Sequence, residues 1–273
     1  MIALENLNRH SKGVAKRQSD NNELRITLNN ILGGIMNQKI LMFLFLFVFL
    51  FCCTDRVAAS PPAKMTELTC PICKTKFTTG VSSGGGFIST QRLDMKPIGP
   101  ISAPNPRPVC PKDHFVFYKY NLTEKEAEHL RSFINSQEYQ GLVKDYPHYY
   151  LIAKIYEFLG ESEFKIAYTY LQASWEVEKS SRDQYEQCLK ASLEHYQKFL
   201  SNNKEKGKAQ ETAELLSGEI ERRLGSFDDA KKRFKRLKNL SEFNAGFYSG
   251  VIKLQLVLIQ DRDSGPHEIP REE

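Results

Sequence analysis

Residues 216–234 read Leu-Ser-Gly-Glu-Ile-Glu-Arg-Arg-Leu-Gly-Ser-Phe-Asp-Asp-Ala-Lys-Lys-Arg-Phe, and they carry the strongest structural signal in the chain. Gly225 divides the stretch, because glycine commonly ends a helix. After it, Phe227, Ala230 and Phe234 recur at spacings of three and four residues, which places them on one face of a helix. The stretch therefore predicts two helices joined by a tight turn, with the second helix packed through its apolar face.

The same stretch resembles a tetratricopeptide repeat, a pair of packed helices that stacks on its neighbours. In that pattern Gly218 lies where the paired helices approach closely. Residues 153–170 are a looser copy, with Gly160 at the turn. We therefore predict a tetratricopeptide-like helical array over residues 123–263, which begins at a capping box opened by Thr123.

The end of the array and its groove can also be predicted. The last helix would turn five apolar side chains inward: Phe243, Phe247, Val251, Leu254 and Leu258. Beyond the array, residues 264–273 form a polar tail, which we expect to be frayed as chain termini often are. Helical arrays leave a concave groove that holds a peptide or a partner helix. Five tyrosines either line that groove or lie in the core, where aromatic residues at helical spacing are more common: Tyr149, Tyr150, Tyr156, Tyr168 and Tyr170.

A metal-binding pattern lies ahead of the helices, in residues 65–122. Cys70-Pro-Ile-Cys73 places two thiolates on one tight turn, from which both can bind the same tetrahedral ion. A second Cys-Pro pair begins at Cys110, but Asp113 occupies the place of its second cysteine and His114 follows. We predict a structural zinc site of Cys70, Cys73, Cys110 and His114, with Asp113 as the alternative fourth ligand.

Two other interpretations of these cysteines stay open. A thioredoxin-like protein would use Cys70 and Cys73 for thiol redox chemistry, but such a motif lies between a strand and a helix, and here a Gly-rich loop follows. A metal-free remnant is the second interpretation, because one ligand of the second turn has been replaced. The aromatic run at residues 115–120 predicts a short strand that covers the metal site. The fold class is therefore mainly α, with a small zinc-ribbon-like β knuckle ahead of the helices.

Residues 1–64 give conflicting indications about the compartment. The apolar run at residues 40–53 is shorter than the ~20 residues that cross a bilayer, and it matches the core of a signal peptide. A leader of this kind predicts a protein that is exported or tethered to a membrane through residues 40–53. Met65, just ahead of the first cysteine turn, would instead start a cytoplasmic protein, and thiol ligands favour a reducing compartment. Residues 1–64 are therefore either a leader or a misassigned upstream segment.

Composition and motifs exclude several functional classes. The 273 residues carry a net charge of +5 and six cysteines. That charge is too small to imply a nucleic-acid partner by itself, and six cysteines are too few for a disulfide-dense scaffold. The chain has no zinc-protease, serine-hydrolase, phosphate-loop or dinucleotide-binding motif. We therefore predict a non-enzymatic scaffold whose helical groove binds a protein segment.

The main alternative function uses the basic face of residues 231–238. Four of its residues are candidate contacts for nucleic acid or for an acidic partner: Lys231, Lys232, Lys235 and Arg236. The same pattern is typical of the solvated face of a helix whose apolar side is buried. A nucleic-acid-binding zinc ribbon is therefore retained as the alternative to the scaffold.

The order of these parts resembles a bacterial family known as domain of unknown function 2225. Members of that family are similar in having two Cys-Pro-x-Cys turns, an aromatic strand, a Leu-Ser/Thr-Glu-Lys-Glu helix start and degenerate repeats. The matching stretches here are Cys70-Pro-Ile-Cys73, Cys110-Pro-Lys-Asp113, Leu122-Thr-Glu-Lys-Glu126 and Gly218 to Phe234. The resemblance implies a cytoplasmic protein that starts just before the first turn. The fourth cysteine of the family is Asp113 in this chain.

Overall fold

The computed structural model describes residues 64–81, 90–100, 103–202, 207–243 and 246–269. In these residues the chain is mainly α-helical, with a small β ribbon ahead of the helices, which confirms the predicted fold class. The predicted leader or upstream segment, residues 1–64 with the apolar run 40–53, lies outside the described residues except for Lys64. Among the helices that the structure describes, none combines the length and apolar character needed to cross a membrane.

Two antiparallel strand pairs and eight helices make up the described part of the chain. Strand β1 pairs with β2 from Lys64 opposite Val81 to Thr69 opposite Lys76, and the short β3 pairs with β4. The strands are β1 (Lys64–Thr69), β2 (Lys76–Val81), β3 (Thr90–Gln91) and β4 (Pro97–Ile98). The helices are α1 (Glu124–Ile134), α2 (Gln137–Leu142), α3 (His148–Phe158), α4 (Glu163–Val177), α5 (Arg182–Asn202), α6 (Lys208–Arg223), α7 (Phe227–Lys238) and α8 (Gly246–Gln260). Each helix contacts the next one along the chain.

Local sequence signals fix the helix ends. Thr123 caps α1, and its hydroxyl accepts from the Glu126 N–H while the Glu126 carboxylate accepts from the Thr123 N–H, so the predicted capping box is present. Gly160 follows α3 at φ +67° and Gly225 follows α6 at φ +79°. Because this left-handed backbone favours glycine, both residues end their helices where the sequence predicts.

The close approach predicted at Gly218 is present between α6 and α7. A Cβ atom at Gly218 would lie 2.6 Å from Cζ of Phe234 and 2.7 Å from Cε2. Ala230 and Phe234, two of the three positions predicted for the packed face of α7, are completely buried, as is Leu237, whereas Phe227 is half-buried. The absence of a side chain at Gly218 therefore lets the Phe234 ring lie against the α6 backbone.

The ribbon and the helices share one apolar core. Phe115 and Phe117 from the ribbon segment belong to the same cluster of buried residues as Leu130 and Ile134 of α1, and the cluster continues to Ile220 of α6. A second cluster joins α7 to α8: Ala230, Phe234, Leu237, Phe243, Ile252 and Ile259. The ribbon is thus stabilised by burial against the helices, since it has too few residues to enclose a core of its own.

The end of the chain differs from the sequence prediction. Phe247, predicted to face inward, is 43% exposed, whereas Gln255 of α8 is buried. The tail continues past α8 and returns to the ribbon segment, where the Ile269 N–H donates to the Gln91 carbonyl and the Leu93 N–H donates to the His267 carbonyl. The prediction of a frayed tail is therefore wrong for residues 264–269, because backbone pairing with the segment around β3 holds them.

A buried ionic network connects the β3–β4 segment to the helices. Arg92 pairs with Asp94 and with Glu178, the residue that follows α4, the latter at 2.8 Å. Arg223 of α6 reaches the other oxygen of Glu178 at 2.7 Å, and the indole N–H of Trp175 donates to Asp94 at 3.1 Å. Burial opposes ionisation of Glu178, but hydrogen bonds from the two arginines outweigh it and lower its pKa to about 2. Each buried charge in this network therefore has a partner of opposite charge.

Candidate metal centre

Two turns with the same backbone hydrogen bonds form the candidate site. In the first, the Cys70 N–H donates to the Thr75 carbonyl and the Cys70 carbonyl accepts from the Lys74 N–H. In the second, Cys110 makes the equivalent bonds to Phe115 and His114. Lys74 and His114 both have a left-handed backbone, at φ 62° and 58°. Asp113 is therefore the structural equivalent of Cys73, and His114 is the equivalent of Lys74.

Four side chains from the two turns converge on one point. Ligand atoms of Cys70, Cys73, Cys110 and Asp113 all lie within 4.8 Å of one another, so these residues could hold a metal ion. The sulfurs of Cys73 and Cys110 are 3.6 Å apart, and the Cys70 sulfur lies 3.3 and 3.6 Å from the two Asp113 oxygens. A tetrahedral zinc ion requires about 3.8 Å between two sulfur ligands and about 3.5 Å between a sulfur and an oxygen ligand. The spacings of these two pairs are therefore compatible with zinc.

The site is enclosed, and this enclosure shifts the pKa values of the buried ligand side chains. Cys70 and Cys110 are completely buried, and Asp113 is 6% exposed. Burial raises the pKa of the Cys70 thiol well above its ordinary value and that of Cys110 to about 11. Burial also opposes ionisation of Asp113, but hydrogen bonds from the Cys110 thiol, the Phe115 N–H and the other two thiols outweigh it and lower the pKa of this carboxyl. Without a cation, the site is a buried carboxylate that accepts hydrogen bonds from thiols.

The structure places Asp113 with the cysteines and His114 outside the group. The His114 ring turns toward α2, where its Nδ1 lies 3.2 Å from the side-chain oxygen of Gln140. The reason is the geometry of the turn, which directs the first and fourth side chains of Cys-Pro-x-Cys to the ion and the fifth away from it. Lys74, at the fifth position of the first turn, likewise points outward to Glu124 at 2.7 Å. The structure thus favours Asp113, the alternative ligand, over His114.

Helices α1 and α2 hold both turns from outside. The Gln140 amide donates to the Asp113 carbonyl at 2.8 Å, and the Tyr139 hydroxyl donates to the His114 carbonyl at 3.0 Å. Arg131 of α1 donates to the Ile72 carbonyl of the first turn at 3.4 Å. These bonds orient the backbone that carries the ligands, a common arrangement around metal sites. No pattern in the sequence pointed to Gln140 or Tyr139.

The aromatic run beside the site does not form the predicted strand. Phe115, Val116 and Phe117 are all buried, whereas a strand with one solvated face would bury alternate residues. Backbone pairing is limited here to a single bridge between Val109 and Val116. The prediction was wrong because only Val116 of this run has a bridge partner across from it in the described part of the chain, and residues 115–117 are buried between the ribbon and the helices. The Phe77 and Phe117 rings meet edge to face at 5.8 Å and cover the turns.

Comparison with known proteins identifies the family. Residues 64–254 match the family described as "Uncharacterized protein conserved in bacteria (DUF2225)". The chain belongs to this family. The resemblance expected from the paired turns and the helix start is thereby confirmed, and the matched region includes both turns of the candidate site. Neither a curated protein nor a solved structure matches the chain.

The remaining candidate residues lie elsewhere in the family fold. Lys231, Lys232, Lys235 and Arg236 are exposed on α7. Two arginines of this face pair with acidic residues of α6: Arg236 with Glu214 at 2.7 Å, and Arg233 with Glu221 at 2.6 Å. For the redox alternative, Cys70 and Cys73 lie in the hairpin between β1 and β2. A strand rather than a helix follows them, unlike the thioredoxin arrangement.

Proposed function

We propose that this chain is a non-enzymatic binding protein and that a structural zinc ion stabilises its ribbon. The observation that carries the metal role is the closed set of four protein ligands, two of them completely buried. A structural zinc ion takes four protein ligands, whereas a catalytic one keeps a position open for water or substrate. Three sulfur ligands also favour zinc over magnesium or calcium, which prefer oxygen. The ion would therefore hold the two turns together and perform no chemistry.

The position of the site supports this stabilising role. The ligands come from turns separated along the chain by residues 74–109. Both turns rest against α1 and α2, through Arg131 and Gln140. A metal ion that joins the turns would fix the ribbon on the helices, and its binding free energy would become folding free energy.

The proposed binding surface is a cleft of about 390 Å³ between α1–α2 and α3. Its apolar part is the stacked pair of Phe133 and Phe158, with ring centroids 4.6 Å apart, and Phe158 is 37% exposed. Lys154 and Glu157, an ion pair at 2.5 Å, line the charged side of the same cleft. An exposed aromatic ring with charged neighbours is typical of the anchor points in protein interfaces. The tyrosines considered for a groove lie in the core or against it, with Tyr149 and Tyr170 buried.

The metal role is tested by metal analysis of three proteins purified without chelator. We expect about one zinc ion per chain in the wild type, because the four ligands complete one tetrahedron. Asp113→Ala should lose most of the metal, whereas His114→Ala, which removes the neighbouring side chain outside the group, should keep it. Protein that contains no zinc, or a greater loss in His114→Ala, would contradict the assignment.

The binding role is tested with one variant in α3, at the cleft, and one in α8, away from it. Phe158→Asp should abolish capture of a protein partner, and Phe247→Asp, the matched change at an exposed ring on α8, should leave it unchanged. Capture should persist at moderate salt. Tight binding of DNA or RNA with a steep salt dependence, lost when Lys231, Lys232, Lys235 and Arg236 are neutralised together, would favour the nucleic-acid alternative instead.

A further inference from the structure

The three thiols of the metal site differ in access and in neighbours. Cys70 and Cys110 have no exposed surface, whereas Cys73 is half-buried and is the only one of the three that solvent reaches. The Cys73 sulfur lies 3.6 Å from that of Cys110, on the other turn. The Cys70 sulfur is directed at the Asp113 carboxylate, 3.3 Å away. An oxidant arriving from solvent would therefore meet Cys73 first and find Cys110 beside it.

We propose that Cys73 is a site of oxidation by hydroperoxides and that Cys110 resolves it as a disulfide between the two turns, leaving Cys70 reduced. This pairing differs from the Cys70–Cys73 disulfide of a Cys-x-x-Cys redox motif. A disulfide has its sulfurs about 2 Å apart, so Cys73 and Cys110 must approach by about 1.6 Å, a shift within the range of side-chain rotation. Complete burial keeps Cys70 from the oxidant, and its sulfur is directed at the Asp113 carboxylate and not at the sulfur of Cys73 that is to be resolved.

The chemistry balances with hydrogen peroxide as the oxidant. The Cys73 thiol gives up its proton and its sulfur attacks one peroxide oxygen, the O–O bond breaks, and the leaving hydroxide takes up that proton as water, so Cys73 becomes a sulfenic acid. The Cys110 sulfur then attacks the Cys73 sulfur, the S–O bond breaks, and the oxygen leaves as water with the thiol proton. Two thiols lose two electrons in total, and one peroxide is reduced to two water molecules.

Oxidation would also release the metal, a consequence that rests on the proposed zinc role. A disulfide between Cys73 and Cys110 removes two of the four ligands and leaves Cys70 with Asp113. Two ligands do not hold a structural zinc ion, which requires four. Peroxide would thus release the ion from both turns and, at the same time, link the turns covalently.

Tryptic mapping of the full-length protein distinguishes the pairings. Trypsin releases residues 65–74, which contain both Cys70 and Cys73, and residues 93–112, which contain Cys110, because the intervening Lys-Pro and Arg-Pro bonds resist cleavage. After peroxide treatment and alkylation, we expect these two peptides to be joined, with the alkyl group on Cys70. Fragmentation between Cys70 and Cys73 locates that group. A loop within residues 65–74, or no disulfide at all, would overturn the proposal.

Variants and metal analysis separate this proposal from the zinc role. Cys70→Ser should still form the joined peptides, Cys73→Ser should form at least ~10-fold less of them, and Cys188→Ser, a change at a buried cysteine outside the site, should match the wild type. Zinc release should follow disulfide formation in the wild type. Protein that is free of zinc when reduced but forms the Cys73–Cys110 disulfide would refute the zinc role alone, whereas zinc-loaded protein that forms another disulfide would refute this proposal alone.

Discussion

Gly218 shows how one hydrogen in place of a methyl group sets the distance between two helices. The Cβ of an alanine at this position would lie 2.6 Å from the Phe234 ring, which is completely buried. We expect Gly218→Ala to lower the free energy of unfolding by about 1–3 kcal/mol, because α6 and α7 must separate or Phe234 must leave its rotamer. The midpoint of urea unfolding measures this change.

Gly141→Ala is the matched control for that substitution. Gly141 also lies in a helix, α2, but an added Cβ there meets nothing within 4 Å. Alanine should therefore stabilise the protein slightly, by up to about 1 kcal/mol, through its better helix propensity. If both variants lost stability equally, the close contact at Gly218 would not be the cause.

Single residues also mark how far the sequence predicts the site. The three cysteine ligands could be predicted, because Cys-Pro pairs at tight spacing have few other uses. The choice between Asp113 and His114 depended on which side chain of the turn faces inward, a matter of backbone geometry. Comparing Cys110-Pro-Lys-Asp113 with Cys70-Pro-Ile-Cys73 position by position would have favoured Asp113, since the two turns are structurally equivalent.

At the scale of single elements, the N-terminus of α3 donates a hydrogen bond to a side chain of another helix. The residue before it, Pro147, makes no side-chain capping bond, and the carboxylate of Glu176 on α4 accepts from the Tyr149 N–H at 2.8 Å. Burial raises the pKa of Glu176 to about 7, although the Tyr149 N–H acts in the opposite direction. The contact between α3 and α4 therefore includes a carboxyl group that resists ionisation.

This carboxyl predicts a pH dependence of stability. Its native pKa of about 7 exceeds its ordinary value of 4.5, so the native state binds more protons and the contribution of Glu176 is complete below 4.5 and lost as the pH rises through 7. Glu176→Gln keeps an acceptor for Tyr149 without an ionisable group. We expect the variant to gain stability relative to the wild type between about pH 5.5 and about pH 8, as followed by urea unfolding.

His195 also contributes to the pH dependence of stability, so the effect of Glu176 must be measured as a difference between wild type and variant. The pKa of His195 on α5 is also raised, because hydrogen bonds to Glu157 and Glu163 outweigh its burial. Its contribution to stability is likewise lost as the pH rises, but it is present in both proteins and cancels in their difference. Glu138→Gln, at an exposed carboxylate of α2, should show no such gain. A wild type and Glu176→Gln with parallel pH profiles would contradict the assignment.

The elements themselves differ in how well the sequence predicts them. Helix α7 has its apolar residues on one narrow face, and Ala230 and Phe234 are buried as predicted. Helix α8 is apolar on most sides, so its pattern could not show which face is buried. Which face of α8 is buried depends on contacts with residues distant in the sequence. Arg222, for example, donates to Gln255 at 3.0 Å.

At the scale of the whole molecule, contacts between distant segments account for the largest errors of prediction. The tail binds the β3 region through backbone pairing, which leaves no mark in its own polar sequence. Arg222 is completely buried and donates to the Gly265 carbonyl at 3.0 Å, although a charged residue in a helix is usually predicted to face solvent. Local patterns thus predict the helices, the strands and the ligand turns, whereas the contacts between distant segments depend on the assembled fold.

The continuity of the core also predicts how metal removal would spread through the molecule. The ligand turns share buried contacts with α1 and α2, whereas α7 and α8 have a separate cluster around Phe234 and Ile252. We expect a chelator to speed amide exchange at least ~100-fold in residues 70–75 and 110–115, because the metal holds these turns closed. Exchange in α1 and α2 should rise less, and exchange in α7 and α8 should not change.

Hydrogen exchange followed by mass spectrometry measures these differences in amide exchange between the turns and the helices. Two variants serve as a metal-free and a metal-loaded reference. Asp113→Ala should show the fast exchange without chelator, since it removes one ligand of the proposed ion. His114→Ala should resemble the zinc-loaded wild type until chelator is added, because its side chain lies outside the ligand group. Uniform acceleration over all helices would mean that the metal stabilises the whole fold. No acceleration at the two turns would mean that the buried carboxylate and thiols hold them closed without an ion.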